Sequence, residues 1–113
     1  MHLVVDGTPT QPVSRLALHA WLTIAPERLG FTRIQPAQVE ETDTALMGYV
    51  LLAESHISAH FYWGQQVAHF DAFTCAEFEP EMFLEMIGEL GIEVARTGLV
   101  PSRGLEYFPR NTP

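Results

Sequence analysis

The sequence has a single cysteine and no long apolar stretch at its N-terminus. These two absences limit the classes of protein to which it can belong. Cys75 is the only cysteine among 113 residues, which excludes an internal disulfide framework and is typical of a reducing compartment. The first ten residues, MHLVVDGTPT, have neither a basic segment nor an apolar stretch of the length that signal peptides or anchors need. We therefore expect a cytoplasmic protein that does not associate with a membrane.

Basic residues are also few. Six Lys+Arg stand against fourteen Asp+Glu, for a formal net charge of -8. Such a surface repels phosphate backbones and anionic lipid, which argues against nucleic acid and membrane as partners. A small cationic ligand is compatible with this charge.

The length and the hydrophobic pattern predict one domain over 1–113. Ser14 can cap a helix over about 15–25, and Pro80 can begin another over about 79–90. Strands are predicted from six apolar or alternating stretches, while 35–44 is polar and reads as a loop or a solvated strand. The six stretches are 2–6, 31–34, 46–53, 56–62, 67–75 and 92–95, and 56–75 is predicted to form a hairpin. This order predicts an α+β fold, a two-layer sandwich of antiparallel sheet with two helices on one face.

Two strand patterns are more specific. The continuous apolar run 46–53 predicts a strand buried on both faces. The alternation after it predicts that Ile57, Ala59 and Phe61 point one way and that Ser58, His60 and Tyr62 point the other.

The stretch Ala53-Glu54-Ser55-His56-Ile57-Ser58-Ala59-His60, followed by Phe73-Thr74-Cys75, concentrates the residues that can carry chemistry. Taken singly, these residues have ordinary interpretations. Histidines on strands are most often structural, and a buried cysteine usually packs as a small apolar side chain. Cys75 and His60 could form a thiol nucleophile and its base, but no third group is evident. No ligand spacing predicts a metal site.

Taken together, these residues resemble the A-E-S-H-x-x-x-H and T-C elements of the prokaryotic S-adenosylmethionine decarboxylase family, with matching spacings. The resemblance is clear over about 46–90. It implies a proenzyme that cuts itself between Glu54 and Ser55, giving chains 1–54 and 55–113. It also implies that Ser55 becomes a pyruvoyl group, the cofactor whose ketone binds the substrate amine and accepts electrons as CO₂ leaves.

The resemblance further assigns roles to individual residues and predicts an assembly. His60 would assist the self-cleavage as a proton-transfer group, and Cys75 would reprotonate the substrate carbon after CO₂ leaves. Two protomers pair in the family, so a homodimer with active sites near the interface is expected. A small core also favours dimerisation.

The chain departs from the family pattern in three respects. Glu41 stands where the family has a Phe that stacks on adenine, and Trp63 and Gly64 stand at a Pro-Glu pair whose Glu binds ribose. Met47 replaces a Ser that is thought to help the cut, so slower cleavage or another donor is expected.

Both contacts to the nucleoside are therefore missing. We expect an amino-acid α-decarboxylase of polyamine biosynthesis acting on L-ornithine or L-arginine. The acids that could hold the far cationic end are Asp6, Glu40, Glu41 and Asp43, and of these Asp6 and Glu41 are the predicted substrate-binding residues. Trp63 or Tyr62 could stack on adenine in place of the missing Phe. The alternatives are a genuine S-adenosylmethionine decarboxylase, as in spermidine biosynthesis, and an uncut, non-catalytic homologue that binds a partner or a small cation.

Overall fold

The computed structural model describes residues 1–53 and 55–100, and in them a six-stranded antiparallel sheet carries two helices. The predicted α+β fold class is confirmed. Strands run in the order β2-β3-β4-β5-β1-β6 across the sheet, so β1 is inserted between β5 and the edge strand β6. In chain order the elements are β1 (His2–Pro9), α1 (Arg15–Leu29), β2 (Gln38–Glu41), β3 (Ala45–Leu52), β4 (Ser55–Tyr62), β5 (Val67–Phe73), α2 (Pro80–Glu89) and β6 (Ile92–Val100).

Local signals account for the helix ends. Ser14 accepts a hydrogen bond from the Ala17 N–H at 3.0 Å, the N-cap that the sequence predicts. Helix α1 continues past Pro26, four residues beyond its predicted end, and stops where Gly30 adopts a left-handed conformation with φ of 87°. Pro80 occupies the first turn of α2, as predicted.

One face of the sheet packs against both helices, and the core lies between these layers. Leu18 and Leu22 of α1 and Phe83 of α2 are completely buried against Phe61 and Phe70 of the sheet. Trp21 spans the two helices, since its indole N–H donates to the Met86 carbonyl at 2.8 Å. We call the opposite side of the sheet, which neither of the two described helices covers, the open face.

The open face corrects one expectation about β3. Burial on both faces is wrong, because Met47 and Leu51 are only partly buried and Tyr49 is 44% exposed. The run reads as continuous because Met47, Tyr49 and Leu51 are apolar although they lie on the open face. On β4 the alternation is as predicted: Ile57, Ala59 and Phe61 are fully buried, and their neighbours are not.

Other strand bounds also differ from the predictions. The predicted strand over 31–34 is wrong, since only Arg33 forms an isolated bridge there, to Leu52. The polar segment contains the short edge strand β2. Strand β6 is longer than predicted because its polar and exposed residues pair with β1 along nearly its full length, with a bulge opposite Asp6 and Gly7. The tail from Pro101 lies outside the described residues.

Candidate active site at the β3–β4 corner

Ser55 begins β4 directly after a tight turn. Leu52 and Ser55 are paired across the hairpin, so only two residues connect the strands. One of them is Glu54, which lies outside the described residues. Ser55 is 7% exposed, and its side chain lies on the helix-covered face. A predicted scissile bond therefore adjoins a hydroxyl that the fold holds in a restricted position.

Cys75 meets Ser55 although twenty residues separate them. The backbone N–H of Cys75 donates to Ser55 Oγ at 3.0 Å. The Cys75 thiol is exposed, and its Sγ lies 3.9 Å from the carbonyl oxygen of Ala53. Both predicted residues therefore lie at one end of the sheet, where β5 ends beside the start of β4.

Buried Thr74 holds this contact in place. Its N–H donates to the Met1 carbonyl at 2.8 Å, and its hydroxyl donates to the Ala76 carbonyl at 2.6 Å. These bonds fix the backbone on both sides of Cys75, so the Cys75 N–H keeps its direction toward Ser55. Each residue of the T-C pair therefore has a structural role: Thr74 fixes the local backbone, and Cys75 contacts Ser55.

His60 does not join Ser55 within one protomer. The two residues lie on the same strand five positions apart, which corresponds to about 16 Å along a strand. An odd separation also puts them on opposite faces. His60 lies on the open face, where its ring stacks on Tyr62 with centroids 6.3 Å apart.

The predicted substrate-binding residues do not lie together. Trp63 stacks on the core residue Phe61 at 5.3 Å and borders a different cavity, between 9–12 and Gln66. Glu41 is paired with Leu46, a core residue, so it belongs to the helix-covered side of β2. Neither residue lies beside His60.

Asp6 lies on the open face, but both of its oxygens are engaged. His69 Nδ1 lies 2.6 Å from Oδ1, and Arg96 Nε donates to Oδ2 at 2.8 Å. The hydrogen bonds from His69 and then Arg96 hold the pKa of the Asp6 carboxyl below its usual value of 3.8. The pairing of Asp6 with His69 and Arg96 was not predicted from the sequence, because it depends on the register of three strands.

Residues 1–53 and 55–100 contain neither a candidate metal-binding cluster nor a candidate membrane-spanning helix. No cluster of three or more His, Cys, Asp or Glu side chains there could hold a metal ion. Nor does this part of the chain contain a helix with the length and hydropathy that crossing a bilayer requires.

Comparisons with known proteins agree with the resemblance. The family model described as S-adenosylmethionine decarboxylase matches residues 2–95. The crystal structure of the adenosylmethionine decarboxylase from Aquifex aeolicus VF5 is similar to this chain, with a TM-score of 0.63 and 22% identity over 86% of this chain and 82% of that one. At that identity the likeness shows the fold. No curated protein matches the chain.

Proposed function

This chain belongs to the S-adenosylmethionine decarboxylase family, and we propose that it is a self-processing, pyruvoyl-dependent decarboxylase of an amino acid with a cationic side chain. The observation that carries the proposal is the 3.0 Å contact between Ser55 Oγ and the Cys75 N–H. It joins the residue that would become the cofactor to the residue that would complete turnover.

Self-processing begins with attack of Ser55 Oγ on the carbonyl carbon of Glu54. The Glu54–Ser55 amide becomes an ester, and the Ser55 nitrogen becomes a free amine. Loss of the Ser55 α-proton then breaks the Cβ–O bond, which releases Glu54 as a carboxylate and leaves dehydroalanine. Hydrolysis of the imine tautomer by water releases ammonia and leaves the pyruvoyl group as the new N-terminus of 55–113.

The surroundings of Ser55 fit this group. A buried position excludes competing water, and the Cys75 N–H points at the atom that must be oriented for attack. The pyruvoyl group, once formed, supplies the ketone that binds the substrate amine and accepts electron density as CO₂ leaves. Cys75 would deliver the proton to the substrate carbon, since its thiol is exposed beside Ser55.

His60 needs a second protomer to act on Ser55. Because the two side chains lie on opposite faces about 16 Å apart along one strand, a direct hydrogen bond within one protomer is excluded. We therefore propose a homodimer in which His60 of one protomer serves Ser55 of the other. Because His60 lies on the open face, that face would have to contact the β3–β4 corner of the partner, where Ser55 lies at the start of its strand.

The substrate follows from the departures in sequence. Glu41 and Gly64 replace the aromatic ring and the carboxylate that hold adenosine in the family. Losing a base–aromatic stack costs about 1–3 kcal/mol, and losing charge-assisted hydrogen bonds costs about another 1.5–3 kcal/mol. At about 1.4 kcal/mol per tenfold, nucleoside binding weakens by roughly two to four orders of magnitude. Ornithine or arginine is therefore the proposed substrate.

Denaturing mass spectrometry tests self-processing. We expect two fragments, 1–54 and 55–113, with the second blocked to Edman degradation. Ser55→Ala should abolish the cut because the attacking hydroxyl is gone. Ser58→Ala is the matched control on the open face of the same strand, and it should still cleave. A full-length mass for the unaltered protein after long incubation would contradict the proposal and favour the uncut homologue.

Cys75→Ala tests the division between processing and turnover. The variant should still form the two fragments, because Ser55 receives the backbone N–H of residue 75 and not the thiol. CO₂ release should fall by about 10²–10⁴, the range for a lost general acid. Normal turnover in the variant would show that the thiol has no part in the reaction.

A comparison of kcat/KM on fully cleaved enzyme tests the substrate. Ornithine or arginine should exceed S-adenosylmethionine. The opposite order would identify a genuine S-adenosylmethionine decarboxylase and leave the pyruvoyl chemistry intact.

A further inference from the structure

A straight row of side chains crosses the open face through all six strands. Glu40 is paired with Met47, Met47 with His60, and His60 with His69. The row continues from His69 through Asp6 to Arg96. Since neighbouring strands lie about 4.8 Å apart, the Glu40 backbone is about 10 Å from the His60 backbone, with only Met47 between them.

A cavity of about 280 Å³ occupies this end of the row. Glu40 lines it from β2, Tyr49 from β3, and Ser58 and His60 from β4. Sites for drug-sized ligands begin at about 300 Å³, so the cavity suits a smaller molecule such as an amino acid.

Glu40 contributes a carboxylate to the lining of this cavity. Within residues 1–53 and 55–100 it has no ion-pair or hydrogen-bond partner, whereas both oxygens of Asp6 are engaged by His69 and Arg96. Most of the surface beside Glu40 is apolar, from Met47 and Tyr49, and a charge pair is screened less against such a surface than in open water. Asp6 is already neutralised by its partners, so Glu40 is the better acceptor for a cation.

The neighbouring acid faces the other way. Glu41 shares the helix-covered face with Leu46, while Glu40 shares the open face with Met47. Adjacent residues on a strand point to opposite faces, so only one of the two acids can reach a ligand beside His60. Both acids are candidates from the sequence, and Glu41 is therefore a less suitable contact than Glu40.

We propose that Glu40 determines substrate specificity by binding the far ammonium or guanidinium of the substrate, in the cavity that it shares with His60. This inference rests on the proposed function, and it adds the residue that selects a cationic side chain. In the proposed homodimer, Glu40 and His60 come from one protomer and Ser55 and Cys75 from the other.

The test compares Glu40→Gln with Glu41→Gln, which remove the same charge from opposite faces of one strand. Arginine and its neutral isostere citrulline are the probes. The unaltered enzyme should prefer arginine, and Glu40→Gln should reduce the arginine-to-citrulline ratio of kcat/KM by about 10- to 100-fold, as expected for losing a charge-assisted hydrogen bond. Glu41→Gln should stay within about twofold because its side chain points away.

Direct binding separates failure of this inference from failure of the proposed function. Isothermal titration of arginine into the same preparations should give a Kd at least about tenfold weaker for Glu40→Gln, whether or not CO₂ is released. An unchanged Kd for Glu40→Gln, or a larger loss for Glu41→Gln, would overturn the role of Glu40. Failure of the unaltered protein to release CO₂ from any amino acid, with binding changed as expected, would overturn the decarboxylase proposal and leave the cation site standing.

Discussion

The two faces of the sheet differ although the same strands build them. Along β4, Ile57, Ala59 and Phe61 are fully buried under the helices, while His60 and Tyr62 between and after them reach the open face. Apart from Ser55 at the start of β4, the residues that this strand places on the covered face are apolar and exclude water. The open face carries histidines, carboxylates and exposed aromatic rings. Alternate residues of one strand can therefore serve stability and chemistry separately, because a strand changes face at every residue.

The largest expected difference between the faces comes from the adjacent residues Phe61 and His60. Phe61→Ala should lower the free energy of unfolding by about 3–5 kcal/mol, since it removes a buried ring that packs on Phe70. His60→Ala should change it by about 0.5 kcal/mol because the ring is outside the core. Urea unfolding of both variants measures this, and similar losses for the two would refute the comparison.

A smaller effect is expected at Gly48, on the covered side of β3. A Cβ there would lie 2.6 Å from Leu22 Cδ1 and 3.0 Å from the Gln38 carbonyl oxygen. Gly48→Ala should therefore cost about 1–3 kcal/mol through overpacking. Gly64→Ala is the control, since nothing lies within 4 Å of its Cβ position, and it should stay within about 0.5 kcal/mol. Equal midpoints in urea for the two variants would show that α1 can move away from the sheet without cost.

The smallest effect is expected at Asp6, on the open face. His69 and Arg96 lower the pKa of the Asp6 carboxyl, so the folded state favours its ionised form. That stabilisation is present at neutral pH and is lost as the pH falls below 3.8, through the folded-state pKa. Asp6→Asn should cost well under about 1 kcal/mol, because the group is partly exposed.

The measurement for Asp6 is urea unfolding from pH 5 to the lowest pH at which the protein still folds. The difference between the unaltered protein and Asp6→Asn should shrink on acidification. Asp43→Asn, in the loop before β3, serves as the control. A difference that grows in acid would contradict the pairing of Asp6.

Much of the fold followed from local pattern. Ser14 and Pro80 act within a few residues of themselves, so both helix starts were predicted, whereas α1 ends at Gly30, beyond its predicted end. The strand predicted over 31–34 is absent because an apolar stretch does not by itself provide a neighbouring strand to pair with. The length of β6 was underestimated because polar edge residues give little hydrophobic signal. These residues are held in the strand by pairing with β1, which is distant in the sequence.

The sequence by itself determined the A-E-S-H motif from which cleavage at Glu54-Ser55 is proposed, the acidic charge and the alternation that separates Phe61 from His60, because these are properties of composition and of near neighbours. Only the tertiary structure decided that Cys75 meets Ser55, that His60 lies on the opposite face from Ser55, that Asp6 is held by His69 and Arg96, and that Glu40 rather than Glu41 shares a cavity with His60. The physical reason is strand register. A shift of one residue exchanges the two faces of a strand, and register depends on contacts between residues that are distant in the chain.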